Sequence, residues 1–198
     1  MINIQTHNIF PTTICRNYYD LQESLAEKLV PKLLDIESQD QDPVLYSNNG
    51  YTNFGKEPTV LDLEECVSLK SWISDTVNFF SNELGVPGEF VFDNSWFAIN
   101  RKNSYHESHN HLPAVWSGVY YVKADENDSG LTFINDNLES NWPWCETANN
   151  ESLKYNATMP ISSGILYVFP SYLNHKVNQQ QADQERIMIS FNMVKKNV

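Results

Sequence analysis

Three of the chain's five histidines, His106, His109 and His111, fall within six residues in the segment "NSYHESHNHLPAVWSGVYYV". Pro113 and the β-branched and aromatic residues after it disfavour a helix here and favour an extended segment. In such a segment residues two apart face the same way, so His109 and His111 should share a face while His106 faces elsewhere. Neutral imidazole nitrogens are common metal ligands. The His-x-His pair therefore indicates part of a metal site, although such a pair alone is more often found as surface or packed histidines.

A second segment could complete this site. His175 follows the apolar strand-like stretch "GILYVFP" and its turn, and Arg186 opens the next one, "ERIMISFNMV". An arginine inside an apolar barrel requires an anion, because an unpaired buried charge is costly, and its planar fork suits a carboxylate. We expect a three-histidine metal site and a carboxylate-binding arginine in one cavity. Taken singly, His175 could be a loop histidine and Arg186 a surface charge.

The elements that must position these residues change character along the chain. Leucines four apart, from Leu21 to Leu33, predict a helix over 18–39 that Pro31 ends or kinks, and a second helix is predicted over about 63–84. The polar stretch "YSNNGYTNFGKEP" between them is interpreted as a loop. From Glu89 onward short strands follow: 89–100, 115–123, 130–135, 164–170 and 185–194.

Strand alternation assigns faces to two of these strands. In 89–100, Trp96, Ala98 and Asn100 should share one face. In 185–194 one face should line a barrel lumen and the other should form core against the helices; the lumen face would hold Arg186, Met188, Ser190 and Asn192, and the core face Ile187, Ile189 and Phe191. The chain is therefore predicted to be mainly β, a jelly roll with N-terminal helices packed on one sheet. We expect a single domain over 1–198, helical to about 87 and jelly roll from about 88.

Composition narrows the partners. The net charge is −12, and the Lys and Arg residues are scattered, so a nucleic-acid partner is not expected. No apolar run is long enough for a membrane span, and the N-terminus does not resemble a secretory signal. Three well-separated cysteines, Cys15, Cys66 and Cys145, suit reduced thiols. These features predict a cytoplasmic protein that contacts no membrane; the oligomeric state cannot be predicted.

The histidine pair, the distal histidine and the arginine about ten residues later resemble the iron(II)- and 2-oxoglutarate-dependent oxygenases. The more specific resemblance is to a prolyl-hydroxylase-like branch of that superfamily found in marine bacteria and phages. It is carried by "IFPTTI", "SHNHLPAVWSGVYYV", "GILYVFPSYLNH" and "ERIMISFN", which together span nearly the whole chain. The resemblance implies a double-stranded β-helix fold and leaves room for a phage-encoded enzyme acting in the host cytoplasm.

The resemblance also implies roles for individual residues. His109, His111 and His175 would bind Fe(II), and Arg186 would bind the far carboxylate of the cosubstrate 2-oxoglutarate, assisted by Asn100 and Tyr105. The chain departs from the family pattern at His111, where an aspartate is usual, and at Met188, where a serine is common. Oxidative decarboxylation of 2-oxoglutarate to succinate would drive hydroxylation of a peptide or small amino-acid-like substrate, with ascorbate as an optional reductant.

Two other classes of protein remain open. A cupin-like metal-dependent enzyme that does not use 2-oxoglutarate would also contain His-x-His and a distal histidine. It usually has a glutamate shortly after the pair, which this chain lacks after His111, and it would give Arg186 no role. A non-catalytic jelly-roll binding protein would contain the same histidines as packing residues.

Two segments are candidates for the mouth of the cavity. They are "SNNGYTNF" (47–54) and the tryptophan-containing stretch "NWPWCETANNES" (141–152) within a long predicted loop over 136–152. Long aromatic-bearing loops on a rigid barrel often cover a binding site. We therefore expect both segments to lie at the histidine end of the barrel.

Overall fold

The computed structural model describes residues 11–47, 49–128, 130–136 and 154–196. Two helices occur in this part of the chain, α1 (Gln22–Gln39) and α2 (Val67–Glu83), with short 3-10 turns at Val60–Asp62 and Glu64–Cys66 before α2. The strands are β1 (Cys15–Tyr18), β2 (Val44–Ser47), β3 (Gly50–Thr52), β4 (Phe90–Asn100), β5 (His106–His109), β6 (Trp116–Lys123), β7 (Leu131–Ile134), β8 (Asn156–Thr158), β9 (Ile165–Pro170), β10 (His175–Val177) and β11 (Arg186–Lys195).

The strands form two sheets in which neighbouring strands run antiparallel. The larger sheet has the order β1-β9-β6-β11-β4-β3-β2, and the smaller one has the order β5-β10-β7-β8. Consecutive strands such as β9, β10 and β11 alternate between the two sheets, which is how a jelly roll encloses a lumen. The predicted mainly β, double-stranded β-helix fold is confirmed.

Both helices cover the outer face of the larger sheet. Leu25, Leu29 and Leu33 of α1 are buried, and α1 continues through Pro31 to Gln39. Leu21, predicted to join this leucine stripe, precedes the first helical turn and is 58% exposed. The buried leucines belong to one apolar cluster with residues of α2 and of the outer sheet face. The predicted packing of helices on one sheet is therefore present.

Strand alternation divides the large sheet into two cores. Phe97 and Ile99 of β4 join the cluster under the helices, together with Ile187, Ile189 and Phe191 of β11. The intervening residues Ala98 and Met188 belong to a second cluster inside the barrel. The face assignments predicted for these two strands are thus confirmed, and they place the residues that face the lumen.

The predicted polar loop over 46–58 contains a hairpin instead. β2 pairs with β3, and β3 pairs with β4, so the hairpin extends the large sheet at its edge. Asn49 has φ 62°, a left-handed conformation that asparagine tolerates and that tight hairpin turns require. Gly50 already belongs to β3 and pairs with Ser47, so the turn lies just before it. The asparagine at 49 was a sequence signal for this turn, and the loop interpretation missed it.

Gly118 of β6 marks a close approach between the sheet and the outer core. A Cβ atom here would overlap the ring of Phe191 and lie 2.8 Å from the carbonyl oxygen of Tyr167. Gly118→Ala should therefore lower the free energy of unfolding by roughly 1–3 kcal/mol through overpacking. Urea denaturation checks this value, and an unchanged midpoint would mean that the sheet relaxes without cost.

Three other expectations concern the chain as a whole. Neither described helix has the length and apolar character required to cross a membrane. Cys15 and Cys66 carry free thiols, whereas Cys145 lies outside the described residues. The single domain over 1–198 stays a prediction.

Candidate metal centre

Three imidazoles meet at one end of the lumen. His109 ends β5 and His175 opens β10, and the two residues are direct register partners in the smaller sheet. The backbone N–H of His111, in the turn after β5, donates to the carbonyl oxygen of Ser171 at 2.9 Å, which ties this turn to the end of β9. One nitrogen from each of His109, His111 and His175 lies within 4.8 Å of the others. This grouping is compact enough for one metal ion.

Hydrogen bonds to the backbone orient two of these rings. Nδ1 of His109 lies 2.8 Å from the carbonyl oxygen of Glu107, and Nδ1 of His175 lies 2.9 Å from that of Leu173. A carbonyl oxygen can only accept, so each Nδ1 must carry the proton. The Nε2 atoms of His109 and His175 are then unprotonated and can bind a metal ion, as in many histidine metal sites.

The rings are held neutral by their surroundings. Burial lowers the pKa of His175 to about 3 and that of His111 to about 4, and the neighbouring histidines reinforce both shifts. Burial also lowers the pKa of His109. Metal ligation requires the neutral imidazole, so the donor set needs no deprotonation at neutral pH.

Acid should destabilise the metal-free protein through these same rings. The pKa of an unfolded histidine is 6.5, whereas burial keeps His175 neutral in the folded state down to about pH 3. Between these values the unfolded chain binds more protons, so the free energy of unfolding falls as the pH falls. From about pH 7.5 to about pH 5.5, His175 alone should account for about 1 kcal/mol. Urea titrations in a chelator, with His175→Phe as the comparison, check this contribution; equal pH dependence of both proteins would refute it.

Strand alternation predicted that His106 faces away from the other histidines, and this prediction is wrong. Its ring centroid lies 4.0 Å from that of His109, and it lines the same cavity. The register is shifted here, because His109 pairs with His175 while His106 pairs with Val177. The paired positions are three residues apart in β5 but only two apart in β10, so β5 contains a bulge with one extra residue. Such a bulge turns the side chain of His106 to the face that holds His109. His106 is nevertheless outside the compact three-nitrogen group.

The cavity beside the histidines runs into the lumen between the two sheets. Trp96 lines it, and its ring lies 5.7 Å from that of His111. Phe54, half exposed, packs edge-on against Trp96 at 4.9 Å. Phe54 therefore contacts a residue that lines the cavity beside His111. This position agrees with the expectation that the segment 47–54 lies at the histidine end of the barrel. The segment 141–152, with Trp142 and Trp144, was expected at the same end, but it lies outside the described residues.

Arg186 and Asn100 lie deeper in the lumen than the cavity. They are register partners on β11 and β4, and both are buried. Met188 and Ala98, two residues further along each strand on the same face, line the cavity. Arg186 and Asn100 therefore form the next layer behind its inner end. Tyr105, the third residue predicted to bind cosubstrate, is 38% exposed and is not among the residues that line this cavity.

Two residues near Arg186 were not identified from the sequence. Asp128, in the loop after β6, accepts a hydrogen bond from Nη1 of Arg186 at 3.4 Å, and both side chains are 1% exposed. Tyr121 of β6 lines the cavity; burial raises the pKa of its hydroxyl, and the positive charge of Arg186 opposes this rise. Asp128 lies in a polar stretch that resembles any surface loop, so no sequence signal distinguished it.

Comparison with solved structures supports the fold. A prolyl-4-hydroxylase from Pseudomonas putida superposes with a TM-score of 0.63 at 13% identity, covering 94% of each chain. HygX from Streptomyces hygroscopicus, with nickel and 2-oxoglutarate bound, gives 0.63 at 11% identity, covering 93% of this chain and 84% of HygX. The viral collagen prolyl hydroxylase of Paramecium Bursaria Chlorella virus-1, in its 2OG complex, gives 0.58 at 12% identity over 91% and 94% of the two chains.

Comparison with curated proteins gave no match. Residues 94–192, half of the chain, match the family described as "Putative 2OG-Fe(II) oxygenase". The matched segment runs from β4 to β11 and includes the three converging histidines and Arg186. The chain therefore belongs to the iron(II)- and 2-oxoglutarate-dependent oxygenase family.

Proposed function

We propose that this protein is a 2-oxoglutarate-dependent hydroxylase whose iron(II) is held by His109, His111 and His175. The observation that carries the proposal is the arrangement of the lumen. Three neutral imidazoles converge at one end of a cavity, and a buried guanidinium lies in the layer behind the other end. When bound, the iron would supply oxygen activation coupled to decarboxylation of 2-oxoglutarate. The protein's part is to position the reactants and exclude water.

The donor set fits iron(II) without a carboxylate. Imidazole is a suitable ligand for iron, and the backbone carbonyls of Glu107 and Leu173 fix the rings of His109 and His175 with Nε2 available. With histidine at 111, the ligands bring no negative charge to the ion. The site would then attract the anionic keto-acid end of the cosubstrate more strongly than a site with one aspartate.

The inner end of the lumen fits the other end of the cosubstrate. Neither amide atom of Asn100 has a hydrogen-bond partner among the described residues, although the side chain is fully buried beside Arg186. Buried polar atoms of this kind call for a ligand or water. The amide N–H of Asn100 and the guanidinium of Arg186 could both donate to the far carboxylate. A role for Tyr105 stays part of the prediction without support from its position.

The outer end of the cavity suggests the kind of substrate. Phe54, Leu112 and Tyr172 are each more than half exposed, Leu112 directly follows His111, and Tyr172 follows the residue that anchors it. Exposed aromatic and apolar side chains next to residues that line or border a cavity suit a peptide or small amino-acid-like substrate with an apolar part. The prolyl hydroxylases among the structural neighbours agree with this substrate class.

Succinate formation tests the proposal. Purified protein with iron(II), ascorbate and oxygen is expected to convert 2-oxoglutarate slowly to succinate even without its substrate. His111→Asp should also bind the metal, because a carboxylate can replace the imidazole as a ligand. Lack of succinate together with lack of 2-oxoglutarate binding by calorimetry would reject the proposal and favour a metal-dependent enzyme with another cosubstrate. Succinate from His111→Asp alone would mean that the native histidine silences the site.

A further inference from the structure

The protein supplies its own carboxylate to the arginine proposed to bind cosubstrate. Oδ2 of Asp128 accepts from Nη1 of Arg186 at 3.4 Å, and the carbonyl oxygen of Asn178 accepts from Nη2 at 3.3 Å. Both charged side chains are almost completely buried, at 1% exposure. Arg186 is thus neutralised before any ligand enters.

Asp128 is positioned for this contact by two loops. Its own N–H donates to the carbonyl oxygen of Asp125 at 3.1 Å, which forms the turn after β6. Its other carboxylate oxygen, Oδ1, accepts from the backbone N–H of Gln181 at 2.9 Å, in the loop before β11. Asp128 therefore joins both loops to the guanidinium.

The contact is long for an ion pair. Charge-assisted N–H···O bonds usually measure about 2.7–2.9 Å and are often bidentate when arginine meets carboxylate. The 3.4 Å distance between Nη1 of Arg186 and Oδ2 of Asp128 is longer than this. A ligand carboxylate able to bind the fork through both oxygens would make the stronger pair.

Placing the carboxylate of Asp128 and a ligand carboxylate on the same guanidinium would cost free energy. In a water-excluded site the repulsion between them is weakly screened, and the three groups together would carry a net negative charge. We infer that Asp128 competes with the far carboxylate of 2-oxoglutarate for Arg186, so that cosubstrate binding releases Asp128 and the native carboxylate weakens 2-oxoglutarate affinity. This inference rests on the proposed function, since it takes Arg186 as the cosubstrate contact.

The competition should act on dicarboxylates alone. 2-Oxobutanoate has the same metal-chelating keto-acid end as 2-oxoglutarate but lacks the second carboxylate. Its binding should not depend on the charge at position 128. A purely structural role for Asp128 would instead alter the binding of both acids in the same direction, because it would act through the shape of the lumen.

Binding of both acids to the manganese-loaded protein tests the inference without turnover. Asp128→Asn should bind 2-oxoglutarate about ten- to a hundredfold more tightly than wild type in calorimetry, with 2-oxobutanoate affinity unchanged. Asp183→Asn is the matched control, because its carboxylate is 86% exposed and pairs with Lys102 instead. This control should bind both acids as wild type does.

The outcomes separate this inference from the proposed function. If neither wild type nor Asp128→Asn binds 2-oxoglutarate while both bind manganese, the proposed function fails. If wild type binds it and Asp128→Asn binds it no more tightly, or gains equally for 2-oxobutanoate, only the inference is overturned. The proposed function stands in that case.

A wild-type measurement decides the matter if Asp128→Asn does not fold. Release of Asp128 would also remove the acceptor of the Gln181 amide. Amide hydrogen exchange at Gln181 should therefore become faster when 2-oxoglutarate binds and stay unchanged with 2-oxobutanoate. Unchanged or slower exchange with 2-oxoglutarate would show that Asp128 stays on its partners and would overturn the inference.

Discussion

Replacing His175 by alanine is expected to weaken iron(II) binding by more than about a hundredfold, since loss of even an outer-shell partner typically costs ten- to a hundredfold in metal affinity. His175 opens β10 opposite His109, and its nitrogen is one of the three that lie within 4.8 Å of each other. Two imidazoles would remain. A backbone carbonyl fixes the ring of His109, and the backbone of His111 is tied to Ser171, so we do not expect either residue to take the vacated position.

Anaerobic titration with cobalt(II) as a substitute for iron(II), followed by its visible absorption, measures this loss of metal affinity. His106→Gln is the matched control, since His106 lines the same cavity but lies outside the compact three-nitrogen group. It should retain wild-type affinity. Equal losses in both variants would mean that His106 belongs to the ligand set, and unchanged affinity in His175→Ala would remove His175 from it. Circular dichroism establishes that each variant is folded.

The alternation of residues along the long strands was the most dependable sequence pattern for predicting which way each side chain faces. In β4 and β11 the residues facing the helices and those facing the lumen could be separated correctly, because both faces are covered by different layers. Each side chain is thus held to one side by its own core. A strand buried on both faces offers little freedom to shift register by one residue.

The same reasoning failed for His106, and the reason is local. Strand β5 contains only His106–His109, and the register shift against β10 lies within it. Alternation assumes a regular ladder, and one extra residue reverses the facing of everything before it. No glycine or proline between His106 and His109 marks the bulge, so the sequence could not show it.

The partner of Arg186 could not be predicted from the sequence, for a different reason. The need for an anion could be predicted from the lumen-facing position of the guanidinium. Which anion meets it depends on where the loops after β6 and before β11 come together in space. Asp128 is one of several carboxylates in a polar stretch, and only the fold distinguishes it from its neighbours.

Replacing Arg186 by glutamine is expected to lower 2-oxoglutarate affinity by about thirty- to a hundredfold, the usual contribution of a charge-assisted bidentate contact. Glutamine keeps a hydrogen-bonding amide of similar reach and removes the charge. Iron(II) binding should be almost unchanged, because Arg186 lies in the layer behind the cavity and is not a ligand. Calorimetry measures the 2-oxoglutarate affinity on manganese-loaded protein, and an anaerobic iron(II) titration of the metal-free protein measures the metal affinity.

Two further variants make the result specific. Arg186→Gln leaves Asp128 buried without its cation, which destabilises the fold and would itself repel a dicarboxylate. The double variant Arg186→Gln/Asp128→Asn removes both charges and should still bind 2-oxoglutarate far more weakly than Asp128→Asn alone. Arg101→Gln is the matched control, because this guanidinium pairs with Glu37 at 2.7 Å and is 37% exposed. If Arg186→Gln binds 2-oxoglutarate as tightly as Arg101→Gln does, the cosubstrate carboxylate is held elsewhere, and Arg186 serves only to join the two loops through Asp128.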